Sequence, residues 1–283
     1  SDNISIISII SNNINEKGNL RRHHCNGRIK VAFVTSESYS REAELKAMPS
    51  SAISTSRAQE WCRWDPNQTT SAYLQDLISR AHDDDDAEKE ILALFPEGGR
   101  IGFGTAGLRA AMEIGPLRMN DLVVVQTAQG IARYCQSTAA AASDDKKLRV
   151  VIGFDHRANT DLQLSSLSFA ILSALVFEQA GMECILLDGL VPTPLVPFAT
   201  LQLKAIVGIM VTASHNPKED AGYKVYWGDG CQIRPPLDSG IAAAILDNLT
   251  PWTDYKSILA ERRQAFGGDD NPSLGLSDPA MTA

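Results

Sequence analysis

The stretch "GIMVTASHNPKEDAGYKVYW", residues 208–227, decides the reading of the fold. Its first half closes the apolar run "AIVGIMVTAS", which has the length and β-branched content of a strand, and "GYKVYW" is a second such run. Asn216 and Pro217, followed by charged residues, make a turn between them. From Ser214 to Gly222 there is no room for a crossover helix, so the second strand is expected to return antiparallel. Ser214 then falls at the carboxyl end of a strand, with His215 beside it.

Outward from this stretch, strand and helix patterns alternate. "LRVVIGF" (148–154) and "ECILLDG" (183–189) read as strands. "NDLVVVQTAQGIARYCQ" reads as a buried helix capped by Asn120, and "TDLQLSSLSFAILSALVFEQAG" as a helix capped by Thr160 and stopped at Gly181. "TPLVPFATLQL" is a short helix and "LDSGIAAAILDNL" a closing one. Such alternation predicts an α/β fold: a mixed, mostly parallel sheet sandwiched by helices. Ligands of such sheets gather at the carboxyl ends of the parallel strands, where Ser214 is expected.

Residues 1–57 are rich in Ser and Asn and are expected to form a disordered or poorly structured segment. Helical patterns begin near "RAQEWCRWDP" and continue in "TTSAYLQDLISRA"; the "DDDD" at 83–86 reads as a solvated loop or an acidic helix start. The domain is placed at 58–256 and residues 257–283 are read as a tail. The chain has 283 residues, 44% hydrophobic and 21% charged, as globular proteins have. A net charge of −8 disfavours nucleic acid as a partner, and no apolar run has the length of a membrane span. Five cysteines, widely spaced and without C-x-x-C, fit reduced thiols and the cytosol. "RRHHC" at 21–25 has no second ligand pair and reads as a basic stretch, not a metal site.

"GFGTAG" at 102–107 satisfies G-x-G-x-x-G, yet no strand precedes it and Gly115-Pro116 interrupts any helix opening on it, which excludes the dinucleotide reading. Two readings remain: a glycine-rich anion loop completed by Arg109, or a tight packing loop with Arg109 solvated. "TASHN" likewise lacks the G-x-S-x-G of a serine hydrolase. His156 and Arg157 in "GFDHRANT" either line the same cleft or serve as capping and solvated residues.

"EWCRWD", "FGTAGLRA", "MND", "QTAQG", "TPLVPF", the 208–227 stretch and "DNLTPW" together resemble the α-D-phosphohexomutase superfamily, in its phosphoglucomutase/phosphopentomutase branch. The resemblance runs from about Ala58 to about Trp252 and implies the first domain of that fold. It implies that Ser214 carries a phosphoryl group and passes it to a sugar phosphate, giving a bisphosphorylated sugar of the glucose 1,6-bisphosphate type. By the same resemblance His215, Lys224 and Arg109 are catalytic, and Thr105, Gly107, Arg109, Ser214 and Asn216 bind phosphate or substrate. Mg²⁺ is implied as cofactor, held by the Ser214 phosphate and by a D-G-D-x-D-R loop that this sequence lacks. Small sugar phosphates are the implied partners, with domains II–IV of a longer protein packing against this one. Ala221 stands where the family has asparagine. A non-catalytic domain that binds a phosphate or a partner remains the alternative.

Overall fold

A computed structural model describes residues 20–25, 28–33, 50–141 and 147–265. The chain divides into two units, Ser1–Ile53 and Ser54–Ala283. In the first, β1 (Leu20–Cys25) pairs antiparallel with β2 (Arg28–Phe33), with Leu20 opposite Phe33 and Cys25 opposite Arg28. This hairpin falls inside the stretch expected to lack structure. The overlooked signals are the alternation of Ile29, Val31 and Phe33 with Arg28 and Lys30, and the intervening sequence Asn26-Gly27, which favours tight hairpins. The remainder of 1–49 lies outside the described residues.

Three helices follow: α1 (Ser50–Trp64), α2 (Gln68–Arg80) and α3 (Asp85–Leu94). α1 begins several residues before the expected helix start near Arg57. Asn67 caps α2 by accepting from the backbone N–H groups of Thr69 and Thr70. Asp84 caps α3 in the same way, so the "DDDD" run is a cap and an acidic first turn.

The central sheet is built from β3 (Leu108–Ala111), β4 (Arg149–Phe154), β7 (Glu183–Leu186), β8 (Val207–Val211) and β9 (Asp220–Trp227), in the order β3-β9-β8-β4-β7. β4 runs parallel to β7 and β8, while β9 runs antiparallel to both β8 and β3. Four strands therefore point one way and only β9 opposes them: the mixed, mostly parallel sheet expected. β3 has no counterpart among the expected strands, because Leu-Arg-Ala-Ala carries no strand signature and is held by its register against β9.

Alternation along the strands sorts the side chains to two faces. Val150, Ile152, Val207, Ile209 and Val225 join the core that includes Val124 and Ile131 of α4 (Asp121–Ala141) and Phe169 and Val176 of α5 (Ser166–Gln179). Val151, Ile185 and Met210 pack on the other face with Val196 and Ala199 of α6 (Leu195–Gln202). Each fully buried aliphatic side chain contributes about 1.5–3 kcal/mol, so the doubly covered β4 and β8 are the firmest part of the sheet. Asn120 Oδ1 accepts from the Val123 N–H and caps α4 as the sequence predicts. At Gly130, a Cβ would lie 2.5 Å from the Ile245 Cα, so α4 meets α7 (Leu237–Leu246) only through glycine.

Two expectations are corrected. α5 is capped by Ser165, not Thr160: Ser165 and Ser168 exchange side chain-to-backbone hydrogen bonds in a capping box. The intervening residues are held by the pairing of β5 (Ala158–Asn159) with β6 (Leu164–Ser165), which keeps the chain out of the helix until then. The stretch after residue 256 does not begin as a tail, because α8 (Tyr255–Ala265) runs through it. Asp254 caps α8 through the Lys256 and Ser257 N–H groups, and Tyr255 and Leu259 are buried. Residues 266–283 lie outside the described residues.

Candidate functional site

β8 ends at Val211, and three residues later the chain turns at Ser214. Ser214 is exposed and has φ of 55°, in the left-handed region that a non-glycine residue adopts only under constraint. The constraint is a buried polar network. The Ser214 N–H donates to the Thr212 hydroxyl at 2.9 Å, and that hydroxyl donates to Asp155 Oδ2 at 2.6 Å. Asp155 follows β4, the strand beside β8, and its Oδ1 also accepts from the Ser166 hydroxyl at the start of α5. Arg157, buried beneath the loop, donates to Asp155 and to the carbonyls of Ser214, Asn216, Pro217 and Asp220.

The antiparallel return of β9 delivers the cation. Lys224 stands opposite Met210, and its Nζ hydrogen-bonds the Ser214 hydroxyl. Burial holds the Lys224 ammonium below its ordinary pKa, and the neighbouring positive charge of Arg109 adds to that, against the pull of Asp155. Arg109 comes from β3, where it stands opposite Gly222. Its Nη1 donates to Asn216 Oδ1 at 3.0 Å, and Asn216 Nδ2 donates in turn to Asp220. Arg109 thus joins the end of the glycine loop to the serine loop.

The glycine loop lies against the same strand. Gly104 and Gly107 bond through their backbones, and Gly107 has φ of 74°. A Cβ at Gly107 would fall 1.9 Å from the Tyr223 carbonyl oxygen, so only glycine lets this loop reach β9 beside Lys224. The structure therefore brings Ser214, Lys224, Arg109, Asn216 and Gly107 together. Thr105 and His215 are exposed, and no hydrogen bond among the described residues joins either to Ser214. Sequence reasoning missed Asp155 and Thr212 of the supporting set, and left Arg157 open between the cleft and a capping or solvated role. Arg157 is neither a cap nor a solvated residue, and its acceptors are backbone carbonyls that leave no sequence signal.

A hydroxyl beside an ammonium and near a guanidinium suits a dianionic phosphate, because each cation offsets charge that would otherwise repel substrate. Among the described residues no group of three or more His, Cys, Asp or Glu side chains is placed to hold a metal ion. These residues alone do not make a Mg²⁺ site.

Residues 100–251 match the family described as phosphoglucomutase/phosphomannomutase, alpha/beta/alpha domain I. The chain is similar to phosphopentomutase of Homo sapiens, 47% identical over 193 residues, covering 68% of this chain and 30% of that protein. It is 48% identical over 166 residues to phosphoribomutase of Saccharomyces cerevisiae, covering 56% of this chain and 25% of the relative. Glucose 1,6-bisphosphate synthase of Homo sapiens is 39% identical over 193 residues, with 68% and 29% covered. The chain spans about a third or less of the length of these relatives.

Proposed function

The chain belongs to the phosphoglucomutase/phosphomannomutase family, and on that premise we propose that it is the phosphoryl-carrying domain of a phosphosugar mutase. The substrates are sugar phosphates, interconverted between the 1-phosphate and the 5- or 6-phosphate. Pentose phosphates are favoured, since the relatives named for pentose or ribose chemistry are more similar to this chain than the glucose 1,6-bisphosphate synthase. The observation that carries the reading is the exposed Ser214 hydroxyl, held in a left-handed turn against Lys224 Nζ.

In this reading Ser214 rests as a phosphoserine of charge about −1.5 to −2, offset by Lys224 and Arg109. A free hydroxyl of the bound sugar phosphate attacks phosphorus; its O–P bond forms as the Oγ–P bond of Ser214 breaks. Lys224 donates the proton that the departing Oγ needs, and the sugar hydroxyl surrenders its own to restore Lys224. A Lys224 pKa held below its ordinary value eases that exchange in both directions. The bisphosphorylated sugar then returns its other phosphate to Ser214. Catalysis of this kind is mostly positioning and charge stabilisation, and the site supplies both. Asn216 and Gly107 would present polar groups to the phosphate, with Thr105 and His215 at its exposed side. For Mg²⁺, a phosphorylated Ser214 would be the one ligand these residues offer. A cytosolic setting is proposed on the sequence, whose five widely spaced cysteines without C-x-x-C suit a reducing compartment.

The test is direct. The chain incubated with glucose 1,6-bisphosphate should gain one phosphoryl group by intact-mass spectrometry, localised by fragmentation to Ser214. A group found elsewhere, or none, defeats the proposal.

A further inference from the structure

Outside the residues that meet the phosphate, Arg157 has the most completely engaged side chain near the site. Its Nη1 donates to the Pro217 and Asp220 carbonyls at 2.6 and 2.9 Å, and its Nη2 to those of Ser214 and Asn216 at 2.7 and 2.9 Å. Nε donates to Asp155 Oδ2 at 3.2 Å. A guanidinium has five N–H groups, and here every one has an acceptor. Three of those acceptors lie in the loop between β8 and β9 and the fourth, Asp220, opens β9, so one side chain fixes the curvature of the whole turn. The fifth bond returns to Asp155, which reaches Ser214 a second time through the Thr212 hydroxyl.

We infer that Arg157 is a positioning residue for the phosphoryl carrier: its guanidinium holds the Ser214 loop from beneath and fixes the direction of the Ser214 hydroxyl. The inference rests on the mutase reading for its catalytic consequence and on geometry alone for its structural one. Ser214 cannot hold φ of 55° on its own account, and the groups that fix it are the carbonyl it gives to Arg157 and the N–H it gives to Thr212. The loop must also bear a dianion on its upper side, and a buried cation below its carbonyls opposes the recoil of that charge. Arg157 bonds neither to Oγ nor to any side chain expected to meet the sugar phosphate, so its effect is transmitted through the backbone. A lysine keeps the charge but offers three donors from one point, so it cannot span four carbonyls.

Two measurements on the 283-residue chain test this. The first is amide hydrogen exchange across 212–222. Thr212, Ser214, Asn216 and Asp220 all have bonded N–H groups, and Arg157→Lys should speed their exchange at least about tenfold while α4 and α5 exchange as before. The second is the rate of phosphoryl uptake at Ser214 from glucose 1,6-bisphosphate, which should fall about ten- to hundredfold in Arg157→Lys. Thr212→Val, which removes the other tether, should slow uptake less. Unchanged loop exchange in a folded Arg157→Lys chain overturns the inference, as does unchanged uptake. If the parent takes up no phosphoryl group while its loop amides depend on Arg157, the mutase reading falls and the positioning role stands. Should Arg157→Lys fail to fold, Arg157→Gln under the same two readouts decides, and parental behaviour of that variant counts against the role.

Discussion

Two loops reach Lys224 from opposite sides, and they are built on different principles. The serine loop is held by buried side chains: Asp155, Arg157 and Thr212 together take up its backbone groups. The glycine loop closes through backbone bonds between Gly104 and Gly107 and a contact with Tyr223 that no side chain could fit, with Phe103 packed against the core. A group that must attack or leave along one line needs rotational restraint, which directional hydrogen bonds give. Under the proposed function the glycine loop would close on phosphate oxygens, and that needs bare N–H groups and close approach, which glycine gives.

The largest effect should come from the serine loop. Ser214→Ala should abolish phosphoryl uptake altogether while leaving thermal unfolding nearly unchanged, as the side chain is exposed; residual uptake at another residue would break the comparison. Next is the glycine loop. Gly107→Ala adds a Cβ 1.9 Å from a carbonyl oxygen at a left-handed φ, and should cost about 3 kcal/mol or more in urea unfolding. A cost below about 1 kcal/mol would mean that the loop yields, and that its approach to β9 is not fixed.

The bridge between the loops comes third. Arg109→Gln should slow uptake about tenfold, against less than about twofold for Thr105→Ala, whose exposed side chain makes no hydrogen bond to Ser214. Equal effects would put the side chain of Thr105, and not only the loop's backbone, in the phosphate site. The smallest effect is electrostatic. Lys224 titrates below its ordinary 10.5 in the folded chain, so the unfolded chain binds more protons between the two values. Its protonated form therefore weakens the fold below the folded value, and stability recovers as pH rises toward 10.5. Removing the Arg109 charge should move the Lys224 titration, followed by NMR of labelled lysine, upward and narrow that window. No movement would separate the two loops electrically.

How far the sequence leads differs between these regions for a physical reason. β4, β7, β8 and β9 are legible because burial demands β-branched and apolar residues at fixed alternation, as in "LRVVIGF" and "GIMV". β3 is not, since Leu108–Ala111 is specified by its neighbour's register. The α5 boundary is misplaced from sequence because Thr160 and Ser165 are equally good caps on paper, and only the pairing of Ala158 with Ser165 decides between them. Ser214, Lys224, Arg109 and Asn216 stand out by motif, and the fold brings them together. For Arg157 the sequence leaves cleft and surface equally open, because four carbonyl acceptors are a property of the chain's path.

The reversal of β9 has a further consequence. Since Lys224 follows Ser214 by one hairpin, the serine hydroxyl and its ammonium travel as a single cassette whose geometry depends on local register. Such a cassette can be kept intact while the sequence outside the hairpin changes. If the proposed mutase reading holds, differences in sugar preference should then be written outside this hairpin, leaving the hairpin itself interchangeable.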